Sequence, residues 1–253
     1  MKANPYESER YLHEYLLFHY GKPKDLCPIF SPFEFFSEFF LRFHERIDRE
    51  CITLPFSKRA RALDLGCGVG RLTFQLSRGV GEVIGIDNSR QFIAAAQSIC
   101  KRGVIDVRIH ESGAEFTTRH LKLPKCARPE RVHFQVGDAQ KLGPLAKRPF
   151  DIVTAINLIC RLPSPSAFLR QLPDLVVPGG QLIIASPFSW LEEYTPRREW
   201  LTSSDIEDLL KPQFRLKKRP GGLPSRKDIE FLIREHRRKY QLVVSQVLIF
   251  ERC

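Results

Sequence analysis

The chain has 253 residues, of which 43% are hydrophobic, and a formal net charge of +11. That length sits at the upper end of a single domain, and the apolar share is enough for one sizeable core. The basic residues are scattered rather than blocked, so a solvated basic surface is a simpler reading than a polyanion-binding tail. The seven cysteines (Cys27, Cys51, Cys67, Cys100, Cys126, Cys160 and Cys253) contain no Cys-x-x-Cys pair. This argues against a zinc ribbon or a disulfide framework and for reduced, mostly buried thiols in a cytoplasmic protein. Residues 1–20 carry too many Glu, Arg and His side chains for a signal peptide. No apolar run approaches the ~20 residues that a membrane span needs.

Residues 5–50 form a block of their own. The spacing of Leu12, Tyr15, Leu16 and His19 predicts a helix from Tyr6 to Tyr20, ended by Gly21 and Pro23. Ser31-Pro32 predicts the start of an aromatic helix through Phe33, Phe35, Phe36, Phe39, Phe40 and Phe43. Short apolar strands then alternate with helices. Ala60–Leu65, Glu82–Asp87, Val132–Val136, Phe150–Asn157, Gln181–Ser186 and Val243–Phe250 read as strands. Gly70–Arg78, Ser89–Lys101 and Pro165–Leu175 read as helices. This alternation predicts an α/β fold: a mostly parallel sheet with helices on both faces. Residues 1–55 would form a helical cap and 56–253 one compact unit. Residues 104–130 exceed one connection, and Ser112-Gly113 suggests an inserted hairpin. Pro178-Gly179-Gly180 reads as a turn feeding the fifth strand.

The informative motif is Asp64-Leu65-Gly66-Cys67-Gly68-Val69-Gly70, between a strand and a helix. Asp87-Asn88 ends the next strand, where a carboxylate can accept both ribose hydroxyls of a nucleotide. A dinucleotide would favour Gly-x-Gly-x-x-Gly with its pyrophosphate on the helix N-terminus. Here the spacing is Gly-x-Gly-x-Gly, and Asp64 precedes it. An acid repels phosphate but suits the α-ammonium and sulfonium of S-adenosyl-L-methionine (SAM), which has no phosphate. Gly137-Asp138-Ala139 and Asn157 follow two further strands and are placed at the same crevice, Asp138 as an acceptor for the adenine amine. The predicted cofactor residues are therefore Asp64, Gly66, Cys67, Gly68, Gly70, Asp87, Asn88, Asp138, Ala139 and Asn157, with no metal.

From residue 60 to 250 this arrangement resembles the class I SAM-dependent methyltransferases, which implies a seven-stranded, mostly parallel Rossmann-like sheet. A narrower resemblance rests on Asn4-Pro5-Tyr6-Glu7, Glu14–Gly21, Asn157–Leu162, Ser186–Pro196 and Phe231–His236. These stretches look like the 4-mercaptohistidine (5-thiohistidine) N1-methyltransferase family, similar to the C-terminal domain of the ovothiol enzyme 5-histidylcysteine sulfoxide synthase. The resemblance implies methylation of a ring nitrogen of 5-thiohistidine to ovothiol A, with S-adenosyl-L-homocysteine (SAH) as the other product. Position 160 is Cys160 where that family usually carries Asp. No His-x-x-x-His-x-Glu arrangement is present, so a separate sulfoxide synthase would have to supply the substrate.

A neutral imidazole nitrogen has its own lone pair, so the protein's task is to orient it by accepting the other N–H. Asn157, Glu7, Glu193 and His19 are the candidates for that catalytic role. Arg161 and Arg234 are candidates to clamp the substrate carboxylate, and Tyr6, Tyr20 and Trp190 to wall its ring. On this reading the cap closes the acceptor pocket, so loss of residues 1–30 should reduce turnover more than SAM binding. Another small-molecule acceptor, RNA methylation and a non-catalytic SAM-fold partner subunit are the alternatives. Nucleic acid and membrane are not expected partners. Asn157-Leu158-Ile159-Cys160 stands where base-modifying enzymes often carry Asn/Asp-Pro-Pro-Tyr.

Overall fold

The computed structural model describes residues 4–28, 41–53, 57–217 and 226–253. The aromatic helix expected from Ser31 falls largely outside them; Phe43 lies inside and is buried.

Five strands lie parallel in the order β5 (Val132–Val136), β2 (Val80–Asp87), β1 (Ser57–Leu65), β6 (Phe150–Ile156) and β7 (Val176–Ser186). Strand β10 (Lys239–Arg252) joins β7 antiparallel, and short β8 (Phe214–Leu216) joins β10. Six of these seven strands lie where the sequence placed them, and β8 is the seventh. An eighth strand, β9 (Arg226–His236), pairs with the first half of β10. Its charged residues mask an alternation in which Ile229 and Phe231 are buried.

Successive residues on the central strands face opposite layers. Leu63, Val153, Ile184 and Leu248 pack on one side against α7 (Pro165–Leu175) and α8 (Ser203–Leu210). Ala62, Ile152, Ile183 and Val247 pack on the other against α3 (Phe43–Cys51) and α4 (Arg71–Ser77). Burial on both faces explains why these strands read as continuous apolar runs. The turn expected at Pro178-Gly179-Gly180 bulges within β7, where the pairing shifts between Phe150 and Ile152.

The N-terminal block begins with a 3-10 turn over Pro5–Glu7, followed by α1 (Glu9–Tyr20) with Ser8 as its N-cap. Gly21 ends α1, while Pro23 opens the short α2 (Pro23–Leu26) instead of merely stopping the previous helix. Leu16, Leu17 and Tyr20 of α1 pack on α5 (Arg90–Arg102) and on the hairpin β3 (Val104–Ser112) and β4 (Glu115–Lys122). Phe18 sits between Phe43 and Phe231, with ring centroids 5.9 and 5.1 Å away. This aromatic contact and the α5–hairpin seat hold α1 above the C-terminal ends of β1 and β2. Short α6 (Gly143–Ala146) follows β5.

Candidate cofactor and acceptor site

Strands β2 and β6 flank β1 on opposite sides, so the end of β1 is a topological switch point, where open α/β sheets bind ligands. Gly66, Gly68 and Gly70 all take positive φ there, at 69, 55 and 90°. A Cβ on Gly70 would lie 2.5 Å from Cζ of Phe134. The loop therefore needs glycine for conformation and for space.

Asp87 ties the loop to β2. One carboxylate oxygen accepts the Gly68 N–H and the other the Ser89 N–H, both at 2.9 Å. Burial pushes its pKa up. Each oxygen retains a further lone pair, as a group that accepts ribose hydroxyls requires. Gly137 N–H donates to the Asp87 carbonyl, which brings the β5 end to the same place. Asp138 follows; its carboxylate is half exposed and accepts the Gln140 N–H. Asn88 accepts from the Asn4 side chain at 3.4 Å. Cys67 and Ala139 are buried beside the loop and beyond β5.

Asp64 departs from its expected role. It is 1% exposed, and its two oxygens accept the hydroxyls of Thr73 (2.7 Å) and Thr154 (2.8 Å). Burial pushes its pKa up to about 6. The acid sits beneath the loop and bolts β1 to α4 and β6, so it does not itself face a ligand.

Two side chains of α1 clamp the loop from above. Tyr20 donates its hydroxyl to the Val69 carbonyl at 2.6 Å, and His19 Nδ1 accepts the Arg71 N–H at 3.3 Å. Burial drives the His19 pKa well below the usual histidine range, with His44 and Arg71 adding to the effect. Tyr20 and His19 are thus loop supports, in place of the substrate wall and acceptor-orienting base expected of them. His19 also takes the first N–H of α4, the donor on which a phosphate would rest. With Asp87 at the loop, positive-φ glycines and that N–H already bound, the site fits a phosphate-free nucleoside.

Tyr6, Tyr15, Arg161 and Tyr194 come together on the acceptor side, at the end of β6. Arg161 Nη1 donates to the carbonyls of Cys160 (2.9 Å) and Ser189 (2.8 Å), and its guanidinium lies 5.2 Å from the Tyr194 ring centroid. Tyr6 lies beside Arg161 and Tyr15, and Tyr194 beside Glu193. Burial raises the pKa of Tyr6, Tyr15 and Cys160, and pushes Tyr194 up to about 12. Tyr15 and Tyr194 were not among the predicted site residues. The i, i+4 spacing of Tyr15 with His19 was visible, but it reads equally well as core.

Other expectations change. Glu7 accepts the Arg90 N–H at 2.7 Å and so caps α5. Asn157, in the left-handed region (φ 55°), has its Oδ1 bound to Ser245 Oγ at 2.6 Å, so its amide offers a donor more readily than an acceptor. Trp190 donates its indole N–H to Leu201 and packs on the main core rather than walling a substrate ring. Arg234 is 3% exposed, binds the Asp25 carbonyl and Glu111, and stands under the β3–β4 hairpin, away from the acceptor side.

Residues 63–184 match the family model described as a methyltransferase domain. That stretch carries a methyltransferase domain. Its cofactor is SAM. Among similar curated proteins is the mitochondrial ubiquinone biosynthesis O-methyltransferase of Dictyostelium discoideum, 28% identical over 57% of this chain and 40% of that protein. Methyltransferase GfsG of Streptomyces halstedii is 28% identical over 66% of this chain and 49% of that protein. The chain spans about half or less of the length of these relatives. A candidate methyltransferase of Bacillus halodurans C-125 shares the fold with a TM-score of 0.52 at 13% identity, over 83% of this chain and 96% of that one. The [4+2]-cyclase SpnF also shares it, with a TM-score of 0.50 at 18% identity over 74% of this chain and 60% of that one. The fold alone therefore does not name the reaction. Among the described residues, no helix is long and apolar enough to cross a membrane. None of their His, Cys, Asp and Glu side chains form a group of three or more able to hold a metal ion.

Proposed function

We propose that this methyltransferase domain methylates a ring nitrogen of 5-thiohistidine, giving ovothiol A and SAH. The observation that carries the reading is the set of groups around Arg161. Tyr6, Tyr15, Tyr194 and Cys160 all have raised pKa values, first through burial, and stay protonated at neutral pH. Such a ring favours an acceptor that brings its own lone pair, as an imidazole nitrogen does. SAM supplies an electrophilic methyl group, which passes from sulfur to that nitrogen in one in-line displacement. The protein's part is alignment and exclusion of water, and alignment alone can contribute roughly 7–11 kcal/mol. Glu193, beside Tyr194, is the carboxylate of this cluster best suited to accept the other imidazole N–H. The thiohistidine would come from a separate sulfoxide synthase.

The likeness to ubiquinone biosynthesis O-methyltransferases favours a second reading, a phenolic oxygen acceptor. That chemistry needs a base to remove the hydroxyl proton, a role the protonated phenols and thiol do not fill and which would fall to Glu193. Incubation with SAM and 5-thiohistidine, followed by mass spectrometry, should reveal a gain of one methyl. Histidine, a catechol and RNA run in parallel. Methylation of the catechol or RNA, with 5-thiohistidine untouched, would overturn the proposal.

A further inference from the structure

Well-buried arginines in this chain meet an acid. Arg46 pairs with Glu230, Arg61 with Glu82, Arg71 with Glu45 and Arg234 with Glu111. Arg161 differs. Among the described residues no carboxylate lies within ion-pair range of its guanidinium; its neighbours are two carbonyls, the Cys160 sulfur and phenols. The hydrogen bonds to Cys160 and Ser189 all use Nη1. The Nε–Nη2 edge, the fork that a carboxylate takes in two parallel bonds, therefore keeps no carbonyl or carboxylate partner among the described residues. A half-buried cation without a counter-charge is costly, and π-faces and carbonyl dipoles compensate it only in part.

The position gives this charge a purpose. Arg161 lies in the 3-10 turn Ile159–Arg161 directly after β6, the strand beside the cofactor loop. Tyr6 reaches it from the N-terminal turn, which Ser89 and Gln91 tie to α5. We propose that Arg161 receives a carboxylate of the acceptor, with Tyr6 beside it, and so restricts this domain to anionic acceptors. The word acceptor rests on the methyl-transfer reading. The anion site itself follows from the side chains.

The test is calorimetry on the SAH-loaded protein, with 5-thiohistidine and 4-hydroxybenzoate each set against its primary amide. Each acid should bind at least about tenfold tighter than its amide, the scale of a charge-assisted hydrogen bond. Arg161→Gln should erase that ratio while SAH affinity stays within about twofold. Equal binding of acid and amide, survival of the ratio in Arg161→Gln, or no binding of either acid would each overturn the site. Should Arg161→Gln lose SAH binding as well, Arg161→Lys decides: it keeps the charge but not the fork, so an unchanged acid-to-amide ratio refutes the inference and a reduced one supports it. If 4-hydroxybenzoate binds through Arg161 while 5-thiohistidine neither binds nor is methylated, the anion site stands and the thiohistidine reading falls.

Discussion

His19 and Arg71 meet between α1 and the cofactor loop, the imidazole Nδ1 accepting the backbone N–H of Arg71 at 3.3 Å. The contact ties the N-terminal block directly to the cofactor loop, where the cap had been expected to close the crevice and form the acceptor pocket. Replacing His19 by Ala leaves a buried N–H without its acceptor, which costs about 1–3 kcal/mol. SAH affinity should fall roughly 5- to 100-fold on that scale, with His19→Asn intermediate because its amide oxygen can still accept. Calorimetry with SAH measures both. Affinity unchanged in His19→Ala would mean that the loop keeps its shape without the clamp. By the same contact, removal of residues 1–30 should weaken SAH binding together with turnover.

The two acids at the loop should separate by phenotype. Asp87→Asn loses the charge and turns an NH2 group toward the Gly68 or Ser89 N–H, neither of which can accept, so SAH binding should drop by about 10- to 100-fold and stability by about 1–3 kcal/mol. Asp64→Asn turns an NH2 group toward one of two threonine hydroxyls in a sealed site, and should cost about 1–3 kcal/mol of stability. Thermal melts should show a loss in both variants, and SAH titrations should separate them, with binding weakened more in Asp87→Asn than in Asp64→Asn. A reversed pattern would put Asp64, not Asp87, against the cofactor.

Stability should decline in weak acid. Burial holds His19 far below its unfolded pKa, and His44, stacked on it with centroids 4.0 Å apart, is lowered to about 3. The unfolded chain takes up protons near pH 6.5 that the native state refuses. The stabilisation is therefore complete above that pH and is lost as pH falls through it. Asp64, raised to about 6, acts in the opposite sense, since its native form binds a proton more readily than the unfolded one. His44→Phe removes one refused proton and should flatten the fall in melting temperature between pH 6.5 and pH 5. An identical slope in the variant would exclude His44 as a source.

Gly70→Ala should be among the most damaging single-methyl additions in the chain. The residue has φ of 90°, and the new methyl would meet the Phe134 ring. Left-handed strain of roughly 1–2 kcal/mol adds to overpacking of roughly 1–3 kcal/mol. Denaturant unfolding should show a loss of about 2–5 kcal/mol, and Phe134→Leu should recover the overpacking share. If the double variant is no more stable than Gly70→Ala, backbone strain alone accounts for the loss.

The linear pattern by itself determined the α/β alternation, the order of the parallel strands' elements, the hairpin around Ser112-Gly113 and the loop from Gly66 to Gly70. These are local or periodic properties. A strand buried on both faces must be apolar throughout, and a sharp loop with positive φ must use glycine wherever it lies in the fold. Tertiary structure alone decided what each polar side chain does. Asp64 and Asp87 are both acids at strand ends, yet one is bolted to two threonines and the other ties the loop to the next strand. Arg161 and Arg234 were equal candidates for a carboxylate, yet Glu111 already occupies one and no acid of the described residues reaches the other. Such assignments depend on partners scores of residues away, as Tyr6 is from Arg161. Hydrogen bonds and ion pairs act over a few ångströms of space, and spacing along the chain does not encode which distant groups share that space.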